Sequence, residues 1–168
     1  MARRWRVVLI VLSDKAASGE RPDACLPAMR SGLPEDFGVA AEHILSDDRD
    51  ALISLLRKLC DTDGADLVLT SGGTGLGPRD ITPQATLSIA EYEVPGIADA
   101  MRAASLPRVP TAMLSRAVAV VRKKTLIVNL PGSPKAVSET LAVVAPVLGH
   151  GCELLHGTPS DHALEARR

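Results

Sequence analysis

Aromatic side chains are nearly missing from this 168-residue chain, which has only Trp5, Phe37 and Tyr92. That argues against a nucleic-acid platform that stacks bases on aromatic rings. The core must then be built from Leu, Val, Ile and Ala. An excess of either charge is also missing. Nineteen Lys and Arg against 20 Asp and Glu leave a formal net charge of −1, without the electrostatic footprint of a nucleic-acid binder. Cysteine is scarce, and Cys25, Cys60 and Cys152 lie far apart. They fit neither a disulfide framework nor a zinc-ligand spacing, so each reads as a small buried hydrophobe in a reducing compartment. The four histidines are scattered, with no pair at ligand spacing. No stretch approaches the roughly 20 apolar residues of a membrane span, and the apolar run at 7–12 is too short for a signal core. The expectation is a cytoplasmic protein with one domain over residues 1–157 and a flexible polar tail over 158–168.

Glycine is concentrated where it counts. The string Ser71-Gly72-Gly73-Thr74-Gly75-Leu76-Gly77-Pro78-Arg79-Asp80 follows a short apolar run and precedes Thr82-Pro83, which reads as a helix start with Thr82 as cap. Glycines let backbone bend and approach a ligand closely. A strand, a glycine turn, an acid and a helix start together suggest a phosphate cradle with a place for a metal ion. The competing reading is a plain strand-to-helix connector. Two familiar phosphate motifs do not fit. No Gly-Lys occurs for a Walker A loop, and the dinucleotide fingerprint would need glycine where Pro78 stands.

Strand and helix patterns alternate along the rest of the chain. Val7-Val8-Leu9-Ile10-Val11-Leu12 is a β-branched run of the kind buried on both faces of a parallel sheet. A small-residue loop and a short helix over 27–31 follow, then a weaker strand over 38–45. Leu52, Leu55, Leu56 and Leu59 mark one face of a helix over 49–61. Residues 67–69 form a third strand, residues 97–105 a helix, and 117–121 and 125–130 two more strands around the basic turn Arg122-Lys123-Lys124. Ser133 can cap and Pro134 open a last helix, which Pro146 bends or restarts. The class is α/β with a mainly parallel sheet. Ligands of such sheets sit beyond the carboxyl ends of the strands. Those ends read Ser13-Asp14, Ser46-Asp47-Asp48, residues 71–75 and residues 131–134, which points to a polar, anionic ligand.

The stretch LTSGGTGLGPRDITPQAT resembles the signature of the molybdopterin adenylyltransferase family, to which Mog proteins and a domain of gephyrin belong. The segments VVLIVLSDKAASGE, PGIADAM, MLSRAVAVVRKKTLIVNLPGSPKAV and PVLGHGCELLHG are similar to it in the same order. The resemblance implies a three-layer α/β sandwich with a mainly parallel central sheet, and a homotrimer that transfers AMP from ATP to the terminal phosphate of molybdopterin, requires Mg2+ and passes its product to a molybdenum-insertion protein. It implies Asp80 and Asp47 as catalytic, Mg-holding acids. Ser71, Gly72, Gly73, Thr74, Gly75 and Asp80 would bind ATP. Ser13, Asp14, Ser115, Arg116, Pro131, Gly132 and Ser133 would lie on the molybdopterin side.

Each residue has a plainer reading. Asp80 could satisfy turn amides, Asp47 could be a helix-start acid with Asp48 taking its job, and Arg79 could clamp a phosphate or be a solvated charge. Lys135 reads as a surface lysine. The family's Asp-x-Ser-Gly-Pro loop is altered here to Asp23-Ala24-Cys25-Leu26-Pro27. That change keeps open a non-catalytic pterin carrier of the same fold. A relative of competence-damage proteins acting on other nucleotides is a third reading.

Overall fold

The computed structural model describes residues 4–157. The tail expected at 158–168 lies outside the described residues. The elements run β1 (Trp5–Leu12), α1 (Asp14–Ala17), α2 (Cys25–Gly32), β2 (Phe37–Leu45), α3 (Arg49–Asp61), β3 (Leu67–Ser71), α4 (Thr82–Leu87), β4 (Tyr92–Glu93), α5 (Pro95–Ser105), a 3-10 turn (Pro110–Leu114), β5 (Ala119–Arg122), β6 (Thr125–Leu130) and α6 (Pro134–Leu155).

The strands form one six-stranded sheet in the order β2-β1-β3-β6-β5-β4. β2, β1, β3 and β6 are parallel, and β5 and β4 extend the sheet antiparallel. Alternation along β1 explains the layers, because successive strand residues face opposite sides. Val7, Leu9 and Val11 enter the core beneath α2, α5 and α6. Val8, Ile10 and Leu12 enter the core beneath α3 and α4. A run buried on both faces therefore reads as unbroken hydrophobicity, as β3 and β6 also do. At the sheet edge β2 is mostly half-exposed, and its register slips by one residue opposite Val7 and Val8. That explains its weak sequence signal.

Three expectations need adjustment. The loop after β1 opens with the single turn α1, capped by Ser13, whose side chain accepts from Ala16 N. α6 runs through Pro146 without a restart. Thr82 does not cap α4. Ile81 holds the cap position without a side-chain bond, and Thr82 is buried in the first turn. Ser133 and Pro134 start α6 as expected, with Ser133 Oγ accepting from Ala136 N at 3.3 Å.

Candidate functional site

β1, β2, β3 and β6 are parallel, so their carboxyl ends share one rim. At the end of β3 the chain turns through Gly72 (φ +98°) and Gly73 (φ +67°). A Cβ on Gly72 would strike Leu12 O, and one on Gly73 would strike Thr82 Oγ1, so both positions require glycine. Four successive carbonyls of this turn are held. Gly72 O accepts from Thr82 Oγ1 at 2.8 Å, and Gly73 O from Thr82 N at 3.1 Å. Thr74 O accepts from Arg116 N at 2.9 Å, and Gly75 O from Arg116 Nε at 2.7 Å.

The amides of the turn behave differently. Gly72 N donates to Leu130 O at 3.3 Å, but Gly73, Thr74 and Gly75 N–H have no acceptor among the described residues. The expected cradle over 72–75 thus narrows to 73–75. Thr82, which holds the first two of these carbonyls, is itself fixed from behind. Its own carbonyl accepts from Thr86 Oγ1 at 2.8 Å, and Asn129 Nδ2, fully buried, donates to Thr86 Oγ1 at 3.1 Å and Thr70 Oγ1 at 2.9 Å. A satisfied buried network of this kind fixes geometry.

The turn after β6 repeats the pattern. Ser71 Oγ donates to Pro131 O at 2.7 Å, and Cys25 Sγ to Gly132 O at 3.7 Å. Ser133 O accepts from Val137 N at 2.8 Å. Carbonyl and amide of a trans peptide point opposite ways. The Gly132 and Ser133 N–H groups therefore lie on the other side of the turn, without an acceptor among the described residues. The two turns touch: a Cβ on Gly132 would sit 3.3 Å from Gly72 Cα. The Ser71 hydroxyl proton, expected to help hold nucleotide phosphate, is committed to Pro131.

Acids complete the rim. Asp48, not Asp47, caps α3 by accepting from Ala51 N at 2.9 Å. Asp47 and Asp14 instead exchange bonds across the ends of β2 and β1. Asp47 N donates to Asp14 Oδ1 at 3.0 Å, and Asp14 N reaches Asp47 Oδ2 at 3.4 Å. Burial raises the Asp47 carboxyl above its ordinary value, against the Asp14 amide that favours its charged form. Asp80 Oδ2 accepts from Gly77 N at 2.8 Å. Asp47 Oδ1 and Asp80 Oδ1 accept no hydrogen bond among the described residues, and both side chains line one hollow. Two hard oxygen donors with space for water fit Mg2+, which keeps several waters and needs one or two carboxylates. No ready-made cluster of three or more metal-ligating side chains occurs among the described residues.

Two hollows flank the glycine turn. The polar one is lined by Ser13, Asp47, Gly72, Gly73, Asp80, Gly132 and Ser133, with Arg21, Asp23 and Cys25. The other is apolar, about 270 Å³, and lies between α5, the 3-10 turn and α6; Thr74, Gly75, Ser115 and Pro131 border it. The residues expected on the pterin side are therefore split between them. Asp14 lines neither. Arg116 is a clamp on the glycine turn, its Nη2 donating to Asp80 O at 2.7 Å. Lys135 is exposed at the surface. The altered loop is well formed, since Asp23 accepts from Cys25 N at 3.0 Å and Leu26 N at 2.8 Å.

Sequence reasoning read Cys25 as a buried hydrophobe. It is buried, yet it also borders the polar hollow. The only available signal was its place in the middle of the altered family loop. The apolar hollow had no signal, because its walls come from three separate elements.

A family profile described as "Probable molybdopterin binding domain" matches residues 8–150. The chain is 43% identical over 144 residues to the molybdopterin adenylyltransferase of Haemophilus influenzae, covering 84% of this chain and 73% of that one. It is 42% identical over 155 residues to the molybdopterin adenylyltransferase of Escherichia coli K12, covering 90% and 78%. The crystal structure of the molybdopterin biosynthesis enzyme MoaB of Thermus thermophilus superposes with a TM-score of 0.87 at 47% identity, over 92% of this chain and 98% of that one.

Proposed function

This chain belongs to the molybdopterin-binding domain family, and we propose that it acts in molybdenum cofactor biosynthesis as a molybdopterin adenylyltransferase, moving AMP from ATP to the terminal phosphate of molybdopterin with release of pyrophosphate. The observation that carries the reading is the pair of touching turns whose carbonyls are tied back while the amides of Gly73, Thr74, Gly75, Gly132 and Ser133 have no acceptor among the described residues. Such turns are anion cradles, and this reaction brings together two phosphate-bearing substrates.

In this reading Gly73, Thr74 and Gly75 N–H take phosphates of ATP. Gly132 and Ser133 N–H, at the start of α6, take the pterin phosphate. An oxygen of that phosphate forms a bond to the α-phosphorus of ATP. The bond from that phosphorus to the bridging oxygen of the β-phosphate breaks in line, and pyrophosphate leaves. Both partners are anions, so positioning and charge neutralisation carry the rate. Asp47 and Asp80 would hold Mg2+, which when bound neutralises phosphate charge. The apolar hollow suits a flat heterocyclic ring. A homotrimer, a molybdenum-insertion partner and a cytoplasmic location go with the same reading. Among the described residues no helix is long and apolar enough to cross a membrane.

The test is pyrophosphate release measured with ATP, Mg2+ and molybdopterin together and with each left out. Release only in the complete mixture supports the reading. Tight pterin binding without product replaces it with the carrier, and nucleotide hydrolysis without pterin replaces it with the third reading.

A further inference from the structure

Residues 76–79 between the glycine turn and Asp80 are all exposed and contribute nothing to the core. From one side Arg116 holds this loop by its ends, through Gly75 O and Asp80 O. From the other side its only tie among the described residues is Arg79. The guanidinium forks the Asp14 carboxylate, with Nε 3.1 Å from Oδ2 and Nη2 2.7 Å from both oxygens. Asp14 Oδ1 in turn accepts from Asp47 N at 3.0 Å. A continuous chain of bonds therefore runs from Arg79, next to Asp80 in sequence, through Asp14 to Asp47.

The pair is solvated, with side chains 64% and 45% exposed, so stability does not explain it. A bidentate fork does fix direction and distance. We propose that Arg79 and Asp14 form a positioning latch: together they set the separation of Asp80 from Asp47, so that one divalent cation meets both carboxylates. Asp14 then orients Asp47 instead of touching pterin, and Arg79 acts through Asp14 instead of clamping phosphate. This rests on the reading of Asp47 and Asp80 as the cation-holding pair.

The experiment measures Mn2+ binding by electron paramagnetic resonance on the full chain, with α,β-methylene-ATP present, for wild type, Arg79→Ala, Arg79→Lys, Asp14→Asn and the Arg79→Ala/Asp14→Asn double variant. The latch predicts that each single variant weakens Mn2+ by about tenfold, as loss of a ligand-orienting partner does. Lysine, which cannot fork a carboxylate, should behave like alanine. The double variant should be no worse than either single, since residues acting as one unit are not additive. Thermal unfolding should be unchanged throughout. If Arg79→Lys keeps wild-type affinity, or if Asp14→Asn has no effect while Arg79→Ala does, Arg79 acts directly on phosphate and the latch is overturned. Additive losses overturn it too. Wild type that binds no Mn2+ removes the cation-site reading itself, and the latch with it, whereas wild type and all variants binding alike removes the latch alone.

Discussion

At the carboxyl ends of the parallel strands, Gly73, Thr74, Gly75, Gly132 and Ser133 present N–H groups with no acceptor among the described residues, and Asp47 and Asp80 each keep one oxygen uncommitted. At the opposite end, Asp66 is fully engaged. Its Oδ2 accepts from Arg6 N at 2.8 Å, its backbone pairs with Arg6 O at 2.9 Å and Leu126 N at 3.0 Å, and its Oδ1 lies 2.7 Å from His156 Nε2. Nearby, Thr125 Oγ1 donates to Ala65 O at 2.6 Å, and Arg122 forks Asp61 at 2.9 and 2.6 Å. One sheet therefore has one end closed by its own chain and one end whose polar groups have no partner among the described residues. On the proposed function, stability and binding are separated along the strand axis, and substitutions at the two ends should separate in the same way.

The sharpest way to break this comparison is to change one aspartate at each end. Asp80→Asn should lower adenylyl transfer at least about a hundredfold, as removal of a central electrostatic group does, with a melting temperature near that of wild type. Asp66→Ala should leave turnover near wild type at low temperature. It should cost about 1–3 kcal/mol in urea unfolding, because Arg6 N–H loses its acceptor inside the protein. Should the effects be exchanged, or should both variants lose both properties, the two ends are not separate.

A smaller effect tests whether the open rim is rigid because of what lies behind it. Thr82→Val deletes the hydroxyl that holds Gly72 O while keeping the volume. It should destabilise by about 1–2 kcal/mol and raise the KM for ATP, whereas Thr82→Ser restores both. Equal KM values in the valine variant would show that the glycine turn keeps its shape without Thr82.

The smallest effect concerns thiols. Burial raises Cys60 from 9.0 to about 11, and burial also raises Cys25. A raised pKa means the folded protein holds the proton more tightly. The stability Cys60 contributes is therefore complete below pH 9.0 and declines as pH climbs toward about 11. All three thiols are packed into the cores, but only Cys25 also borders the open hollow. With a thiol reagent at a pH of about 8, just below the free-thiol range, Cys25 should react first and nucleotide should protect it. Faster labelling of Cys60 would contradict the assignment of open and closed regions.

Much of this was legible in the sequence, for reasons that can be named. Residues 7–12 announced a doubly buried strand because a strand covered on both faces needs no polar alternation. Ser133-Pro134 announced a helix start because hydroxyl capping and a fixed φ are local properties. Gly72 and Gly73 announced a tight bend for the same local reason. Thr82 reads as a cap because a threonine before proline satisfies the local rule equally well. Its hydroxyl answers instead to Gly72, ten residues earlier, which no local rule sees. Asp47 and Asp48 are ambiguous in sequence. The structure separates them, since only Asp48 is placed to reach Ala51 N.

By itself the sequence determined the α/β class, the mainly parallel sheet, the polar strand ends that share one rim, and the family. These follow from periodicity, chain punctuation and a long motif string, all readable along one dimension. Only the tertiary structure decided which amides of the glycine turn remain free, that Arg116 is a clamp, that Arg79 is joined to Asp14, and that an apolar hollow lies beside a polar one. Each of these depends on groups far apart in the chain being brought within about 3 Å, the range in which a hydrogen bond is made or lost.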